Sequence, residues 1–288
     1  MKTKVVITGA SGFLGSVLVN YFLKKNFQVI ALVRTIPREQ SEGIRYSHFI
    51  LNQQVDESVF RDADCFIHCA YIKADADKAA LLNNLEGTRK LLELCTKKNV
   101  KKRIFISSMS AKPEQLSVYG QQKIQIEKLY SEPNDLIIRP GLILGNGGLA
   151  QSIINQVKKQ KFIPLVDGGK QALQTIFIDD LVSVIHRCME NNISGTLTIA
   201  EQGSMKLKDF CRYVCKHYSV KPIFVSVPYW LLYNVVNLLS VVGIKLSIST
   251  DNLMGLKNLS TVDVTSDIKR MGVPIRDCEE SLKIILSA

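Results

Sequence analysis

Short, almost wholly apolar runs alternate with longer segments of helical periodicity through the first two-thirds of the chain. The runs are KVVITG at 4–9, VIALV at 29–33, CFIHCA at 65–70, RIFIS at 103–107 and DLIIR at 135–139. Such runs are typical of strands that are buried on both faces of a sheet. Helical spacing fills the intervals at 13–25, 79–99 and 118–130. The alternation predicts an α/β fold with a doubly wound parallel sheet and right-handed crossovers.

The pattern changes beyond residue 201. A further helix is predicted at 179–191 and a strand, LTIA, at 197–200, after which the segments are mainly helical with irregular connections. We therefore predict a sheet domain over residues 1–200 and a smaller, mainly helical domain over 201–288. Part of 145–175 is expected to contribute to the side of the smaller domain.

One segment carries no charged residue. FVSVPYWLLYNVVNLLSVVGI, at 224–244, is close to the ~20 residues that a membrane-spanning helix needs. Its two amides, Asn234 and Asn237, would cost free energy in lipid. We therefore favour a buried or surface-docking helix, with a membrane-contacting helix as the second interpretation and a true span as the third.

The composition is that of an ordinary globular protein with an excess of positive charge. The 288 residues are 46% hydrophobic, and 37 Lys and Arg face 26 Asp and Glu, a net charge of +11 that favours anionic partners. Because the basic residues are scattered over predicted helix ends, we expect an anionic small molecule and no nucleic acid. The seven cysteines and four histidines show no metal-ligand spacing, so we expect reduced thiols and no metal. No signal peptide is recognisable, which predicts a cytoplasmic protein.

Three evenly spaced glycines follow the first predicted strand. VVITGASGFLGSVL places Gly9, Gly12 and Gly15 between that strand and an amphipathic helix. In this variant of the dinucleotide fingerprint, Gly9 permits a tight turn, Gly12 lets a pyrophosphate approach the backbone, and Gly15 allows close helix–strand packing. N–H groups at the start of the helix would face the anion. A glycine turn without a ligand is the alternative, but the context favours dinucleotide binding and a sheet domain of the Rossmann type.

The end of the second strand distinguishes the two nicotinamide dinucleotides. NAD-selective sites place an acidic residue there to accept the ribose 2′-hydroxyl. Here the strand ends in ALVRTIPRE, with Arg34 at that place and Arg38 nearby. Since a guanidinium suits a 2′-phosphate, we predict NADP as the cofactor and NAD as the second choice. The alternative is that Arg34 merely ends the strand and faces water.

A Tyr-x-x-x-Lys pair begins the third predicted helix. In ISSMSAKPEQLSVYGQQKIQIEK, at 106–128, Tyr119 and Lys123 share one helical face. An ammonium close to a phenol favours the phenolate, so we predict that Lys123 lowers the pKa of Tyr119 and makes it a proton carrier. Ser107 and Ser108 end a predicted strand, at the edge where the cleft of such a sheet opens, so a serine hydroxyl there could bind the same substrate oxygen.

Several motifs together resemble the short-chain dehydrogenase/reductase superfamily, in its extended epimerase/dehydratase-like branch. They are TGASGFLG (8–15), FISS (105–108) followed by YGQQK (119–123), IIRPG (137–141), NLEGTRKLL (84–92) and FIDDL (177–181). The resemblance covers about residues 4–201 with specific motifs and the remainder only thinly. It implies an NAD(P)-dependent enzyme in which the C-terminal helical domain serves the substrate.

The resemblance also implies roles for individual residues. Ser108 would polarise the substrate oxygen, Tyr119 would be the acid/base, and Lys123 would lower its pKa and bind the nicotinamide ribose. Pro140 and Gly141 would lie beside the nicotinamide ring. The whole implied cofactor site is Thr8, Gly9, Ser11, Gly12, Phe13, Leu14, Gly15, Arg34, Cys69, Ala70, Asn84, Ser107, Tyr119, Lys123, Pro140 and Gly141.

The substrate side departs from the family pattern. ALQTIFIDD, at 172–180, lacks the Arg that many members use to hold a nucleotide-sugar pyrophosphate, and Phe177 replaces a His. The expected function is hydride transfer to or from a carbonyl or hydroxyl of an activated sugar or similar polar, anionic substrate, and an NADP preference favours net reduction. Two alternatives stay open: a catalytically silent NADP-binding regulatory or assembly protein, and an epimerase acting on a lipid-linked sugar at the membrane surface. Oligomerisation is also left open.

Overall fold

The computed structural model describes residues 2–73, 77–114, 117–241, 249–257 and 259–287. Within these ranges the strands are β1 (Lys4–Thr8), β2 (Gln28–Val33), β3 (Ile44–His48), β4 (Cys65–His68), β5 (Lys102–Ile106), β6 (Asp135–Pro140), β7 (Leu142–Leu144), β8 (Phe162–Val166), β9 (Ala172–Leu173), β10 (Thr175–Phe177), β11 (Gly195–Ile199), β12 (Met205–Lys206) and β13 (Ile223–Val227). The helices are α1 (Phe13–Lys24), α2 (Lys78–Lys97), α3 (Val118–Glu127), α4 (Gly148–Lys159), α5 (Ile178–Glu190), α6 (Leu207–Tyr218), α7 (Tyr229–Val241), α8 (Thr250–Lys257), α9 (Thr265–Met271) and α10 (Cys278–Ser287).

Seven strands form one parallel sheet in the order β11-β6-β5-β4-β1-β2-β3. The chain builds the sheet outward from β1 in one direction through β2 and β3, and then in the other through β4, β5, β6 and β11. The predicted doubly wound α/β fold is thus confirmed. The apolar pattern does not predict β3, because this edge strand, IRYSH, is polar and only partly buried.

Side chains alternate between the two faces of the sheet, so each face has its own core. On one face, Val5 and Ile7 of β1 pack with Leu18 of α1 and Ile185 of α5. On the other, β-strand side chains such as Phe66 and Phe105 belong to the clusters that bury α2 and α3. A parallel sheet covered in this way needs nearly continuous apolar strands, which explains why the sequence pattern predicts it.

A second core lies beside the sheet. It joins α4, α6 and α10 with β7 and β8, and so draws on residues from both sides of position 200. The predicted boundary at that position stays a prediction. The uncharged segment at 224–244 is divided between β13 and α7, and its residues 242–244 lie outside the described ranges. None of the helices in the described part of the chain is both long and apolar enough to cross a membrane.

Candidate active site

The loop after β1 is shaped by close approaches of the backbone. Gly9 has a φ of +66°, and a Cβ there would lie 2.8 Å from the Ala70 nitrogen. A Cβ on Gly15 would lie 2.1 Å from the Gly9 carbonyl oxygen. Both positions therefore require glycine, the first for its left-handed backbone and the second because α1 packs directly on the loop.

The start of α1 is suited to an anion. Its N-cap residue, Gly12, offers no side chain to the helix, and the first turn contains no acidic residue. The amides of the first turn, including those of Phe13 and Leu14, therefore have no side-chain cap, and Ser11 and Gly12 beside them are exposed. A dinucleotide pyrophosphate fits this helix start, because it supplies the negative charge that such amides attract.

Other predicted residues lie along the same edge of the sheet, at the carboxyl ends of adjacent strands. Cys69 and Ala70 follow β4, Ser107 and Ser108 follow β5, and Pro140 ends β6. Gly141 comes next, and a Cβ on it would lie 2.5 Å from the Gln174 carbonyl oxygen. The winding reverses between β1 and β4, the place where ligands bind in open α/β sheets. The structure thus brings these residues to one cleft edge.

A buried hydrogen-bond chain holds β1 to β4 beneath this edge. His68 lies between Thr8, 2.7 Å from Nδ1, and Thr88, 3.0 Å from Nε2. Since the Thr88 hydroxyl donates to the Asn84 carbonyl, it accepts from Nε2–H, which leaves Nδ1 to accept from Thr8. Thr8 Oγ1 in turn accepts the N–H groups of Cys69 and Ala70. Burial, with the charge of Lys123 second, lowers the pKa of His68 to about 3, so the ring is neutral.

Asn84 holds the segment after β4 in place through hydrogen bonds. It is fully buried, and its side chain clamps the backbone of Ile72 through bonds of 2.7 Å and 2.8 Å. Its amide also donates to Gln122 of α3 at 3.0 Å. Both polar atoms of the Asn84 side chain are therefore used in hydrogen bonds, and these bonds position the segment after β4. Its contact with a cofactor stays a prediction.

Ser107 anchors a buried network behind the cleft. Its hydroxyl donates to Glu127 Oε1 at 2.5 Å, and Glu127 also receives two hydrogen bonds from Arg139, at 2.9 Å and 2.5 Å. Glu127 is one helical turn beyond Lys123, and Arg139 immediately precedes Pro140. The carboxylate therefore ties α3 to the ends of β5 and β6. Sequence spacing alone does not indicate this role, although Glu127 is on the Lys123 face of the helix.

Tyr119 and Ser108 meet at the cleft edge. The Tyr119 hydroxyl lies beside the Ser108 side chain, and its ring packs edge-on against Tyr71 with 5.2 Å between centroids. Tyr119 is partly buried in this position. Burial raises its pKa, and the Ser108 side chain beside the hydroxyl opposes that rise. The structure therefore differs from the prediction of a lowered pKa, because desolvation outweighs the stabilisation of the phenolate.

Lys123 is buried directly behind Tyr119 but does not bond to it. Its amine donates to the Ile106 carbonyl at 2.8 Å and lies 4.6 Å from the ring centroid of Phe105 and 5.7 Å from that of Tyr119. Burial lowers the pKa of Lys123 to about 8, although Cys69 and Glu127 act in the opposite direction. The two side chains lie on one helical face, as predicted. However, the Lys123 amine is hydrogen-bonded to the Ile106 carbonyl and not to the Tyr119 hydroxyl.

Asp251 is a site residue that the sequence does not reveal. It lies in the first turn of α8, and its carboxylate accepts the N–H of Val118 at 2.5 Å and that of Tyr119 at 3.4 Å. Together with the side chain of Ser117, it caps the helix that carries Tyr119. The two partners are 133 residues apart in sequence, so no local pattern could join them.

One family model matches most of the chain. It is described as the NAD dependent epimerase/dehydratase family, and the match extends over residues 5–200. This range contains the glycine loop, Ser108, Tyr119, Lys123 and Arg139.

Curated relatives are distant and differ in length from this chain. A D-erythronate dehydrogenase from Haemophilus influenzae is 31% identical in an alignment 156 positions long that covers 45% of this chain and 49% of the relative. An N-acetyl-alpha-D-glucosaminyl-diphospho-ditrans,octacis-undecaprenol 4-epimerase from Escherichia coli O157:H7 is 25% identical in an alignment 219 positions long that covers 68% of this chain and 66% of the relative. Against an uncharacterised protein of Mycobacterium tuberculosis, the chain spans only 22% of the relative's length, at 22% identity over 71% of this chain.

Solved structures share the fold along nearly the whole chain. MoeE5 in complex with UDP-glucuronic acid and NAD has a TM-score of 0.78 at 18% identity, covering 99% of this chain and 98% of that chain. A UDP-glucuronic acid 4-epimerase from Bacillus cereus, in complex with UDP-glucuronic acid and NAD, gives the same TM-score, identity and coverage. At this identity the likeness is one of fold.

Proposed function

Because the chain belongs to the NAD dependent epimerase/dehydratase family, whose members are enzymes, we propose that it moves hydride between a nicotinamide cofactor and a carbonyl or hydroxyl carbon of an activated sugar or similar polar, anionic substrate. One observation carries the proposal. The Tyr119 hydroxyl lies beside Ser108 at the carboxyl end of β5, with the Lys123 amine on the next helical turn. Two hydroxyls thus meet where a substrate oxygen would be bound.

We assign the proton transfer to Tyr119. Because burial raises its pKa, the phenol stays protonated near neutral pH and acts as a donor. Reduction of a carbonyl consumes a proton at the oxygen, which Tyr119 would supply while Ser108 holds that oxygen by a hydrogen bond. A protonated Tyr119 is the form of the residue that carbonyl reduction requires.

Lys123 acts on Tyr119 through charge. With a pKa of about 8, its amine is mainly protonated at pH 7. The ammonium, 5.7 Å from the Tyr119 ring centroid, would favour the phenolate that forms as the proton leaves. Contact of Lys123 with the nicotinamide ribose belongs to the same proposal.

NADP is the cofactor we favour, with NAD as the alternative. Arg34 follows β2 directly, is exposed, and has no ion pair with a carboxylate among the described residues. The Gly9–Gly15 loop and the first amides of α1 would hold the pyrophosphate, and Arg34 would pair with a 2′-phosphate. When bound, the nicotinamide would supply or accept hydride, and the chain's own residues orient it and handle the proton.

A lipid-linked sugar diphosphate is the second candidate substrate. The E. coli relative is named for a sugar joined through a diphosphate to undecaprenol. A lipid carrier would leave the proposed roles of Ser108, Tyr119 and Lys123 unchanged.

The enzyme proposal is tested by Tyr119→Phe, with Tyr130→Phe as the matched control. The Tyr130 hydroxyl is buried without a hydrogen-bond partner in the described structure, so its removal should leave turnover near wild type. The substrates to test are UDP-glucuronic acid, UDP-glucose and UDP-N-acetylglucosamine, and turnover is followed by cofactor absorbance and product NMR. We expect Tyr119→Phe to lower turnover by about 10²–10⁴-fold while the cofactor affinity stays unchanged. Full turnover in Tyr119→Phe would exclude Tyr119 as the proton carrier. The wild-type protein could instead bind the cofactor but convert neither the three nucleotide sugars nor a lipid-linked sugar. That result would favour the catalytically silent alternative.

The cofactor preference is tested by titrating NADPH and NADH and following the fluorescence of the reduced nicotinamide. We expect NADPH to bind at least about tenfold more tightly, since a hydrogen bond to a charged group contributes about 1.5–3 kcal/mol. Arg34→Ala should remove the difference, whereas Arg45→Ala, which breaks an exposed ion pair with Asp56, should not. A preference for NADH in the wild type would show that Arg34 only faces water.

A further inference from the structure

Helix α7 shows one apolar side to solvent although its other side is packed. Trp230 and Leu238 are 65% and 64% exposed, and Leu231 and Val235 are also exposed. These four residues, here called the α7 face, lie on one side of the helix by their spacing. On the opposite side, Val236 is buried against Val166 and Leu253. The exposed apolar side is therefore not needed to hold the helix in place.

The strand that leads into α7 and its partner strand also carry exposed apolar residues. In the parallel pair of β8 and β13, Ile223 lies opposite Phe162, and both are exposed, as is Val225. Their neighbours Ile163 and Leu165 point inward and are buried. Single exposed apolar residues are ordinary, but a clustered set marks an interaction surface.

The segments of the sequence that contain the α7 face and strands β8 and β13 are strongly basic. Residues 158–170 and 206–257, here called the basic region, contain eleven Lys and Arg against three Asp, and one of the eleven, Lys245, lies outside the described ranges. Lys161 is exposed beside Phe162, and Lys257 lies over the ring of Tyr229 at 4.5 Å from its centroid. Two copies of this chain would present the same positive excess to each other, which opposes self-association through the face. A surface that combines an apolar centre, a tryptophan and lysines complements anionic lipid headgroups over acyl chains.

We propose that the α7 face docks this protein on the surface of an anionic phospholipid bilayer. The docking would insert Trp230 and Leu238 at the level of the headgroups, and Lys161, which is exposed beside Phe162, would pair with lipid phosphate. Helix α7 is also connected to the candidate active site. It packs on α8 through Val236 and Leu253, and Asp251 of α8 caps the helix that carries Tyr119. The bilayer contact is independent of any turnover.

The chain contains its own probe, because Trp230 is its single tryptophan. We expect vesicles of mixed phosphatidylglycerol and phosphatidylcholine to shift the Trp230 emission to shorter wavelength, and brominated lipids to quench it. Vesicles of phosphatidylcholine alone should do neither. Salt near 1 M, where charges are screened beyond about 3 Å, should weaken the binding. Cosedimentation with the vesicles gives the affinity without relying on fluorescence.

Leu238→Glu and Leu231→Glu should each weaken vesicle binding at least about tenfold, since each replaces an apolar side chain that the bilayer would bury with a charged one. Leu82→Glu is the matched control, because Leu82 is 57% exposed on α2, outside the basic region. This variant should bind vesicles as tightly as the wild type does. Circular dichroism confirms that each variant is folded. No emission shift with anionic vesicles, equal binding to phosphatidylcholine, or a shift that grows with protein concentration in the absence of lipid would each overturn the proposal, the last in favour of a second copy.

Discussion

The sheet region, residues 4–140, and the basic region use large apolar side chains in opposite ways. Among the described residues, the sheet region exposes two of them, Ile36 and Leu82, whereas the much shorter basic region exposes seven. In the sheet region apolar side chains fill the two cores between strands and helices. The first region therefore buries its large apolar side chains in its own cores, whereas the second leaves several of them exposed.

Charge follows the same division. The sheet region has twenty Lys and Arg against fourteen Asp and Glu, and two of its ion pairs, Arg103–Asp135 and Arg139–Glu127, are largely buried. In the basic region the pair Arg212–Asp209 is exposed. The sheet region thus has two ion pairs in its interior, whereas the Arg212–Asp209 pair of the basic region faces solvent. The same kind of substitution should therefore have different effects on stability in the two regions.

The largest difference is expected for removal of one carboxylate from each region. Glu127→Ala should lower the free energy of unfolding by about 3–5 kcal/mol, because it leaves Arg139 and Ser107 without their buried partner. Asp209→Ala removes an exposed partner and should cost less than about 1 kcal/mol. Urea denaturation measures both. Similar losses for the two variants would show that burial does not distinguish the regions.

The predictability of the fold differs between the regions for the same physical reason. Strands such as β1 and β4 are buried on both faces, so an apolar run suffices to predict them, and their carboxyl ends then place the glycine loop and Ser108. Helix α7 is apolar on both sides, and its sequence therefore does not indicate which side is packed. Contacts between distant segments, such as Asp251 with Val118, depend on tertiary structure alone. The direction of the Tyr119 pKa shift depends on desolvation, which residue spacing does not report.

The buried His68 should make the stability of the sheet region sensitive to acid. Its pKa is about 3 in the folded chain and near 6.5 when unfolded, so between these values the unfolded chain binds the additional proton. Stability is therefore lost as pH falls below about 6.5, by about 1.4 kcal/mol per pH unit from this group. Urea denaturation at several pH values should show that His68→Asn has a shallower slope by that amount. His217→Asn, in the basic region, serves as the control and should keep the wild-type slope. If His68→Asn also kept that slope, the acid sensitivity would belong to other groups.

Glycine-to-alanine substitution should have opposite signs in the two regions. In Gly15→Ala the new methyl would lie 2.1 Å from the Gly9 carbonyl, so α1 must shift, and we expect a loss of about 1–3 kcal/mol and weaker dinucleotide binding. In Gly255→Ala, within α8, nothing lies within 4 Å of the new methyl, and the better helix propensity should add about 0.5–1 kcal/mol. Thermal denaturation and cofactor titration measure both effects. A stabilised Gly15→Ala variant would contradict the close packing of α1 on the loop.

The smallest effect concerns the contact that joins the two regions. Asp251→Ala removes the carboxylate that accepts the N–H groups of Val118 and Tyr119, and loss of such a cap costs about 0.5–2 kcal/mol. Because these amides begin the helix that carries Tyr119, turnover should fall several-fold with little change in cofactor affinity. Asp263→Ala is the control, since Asp263 caps the nearby N–H of Thr265 and contacts no part of that helix in the described structure. If Asp251→Ala lowers stability but leaves turnover at the level of Asp263→Ala, the contact is a local cap, and the basic region does not position Tyr119.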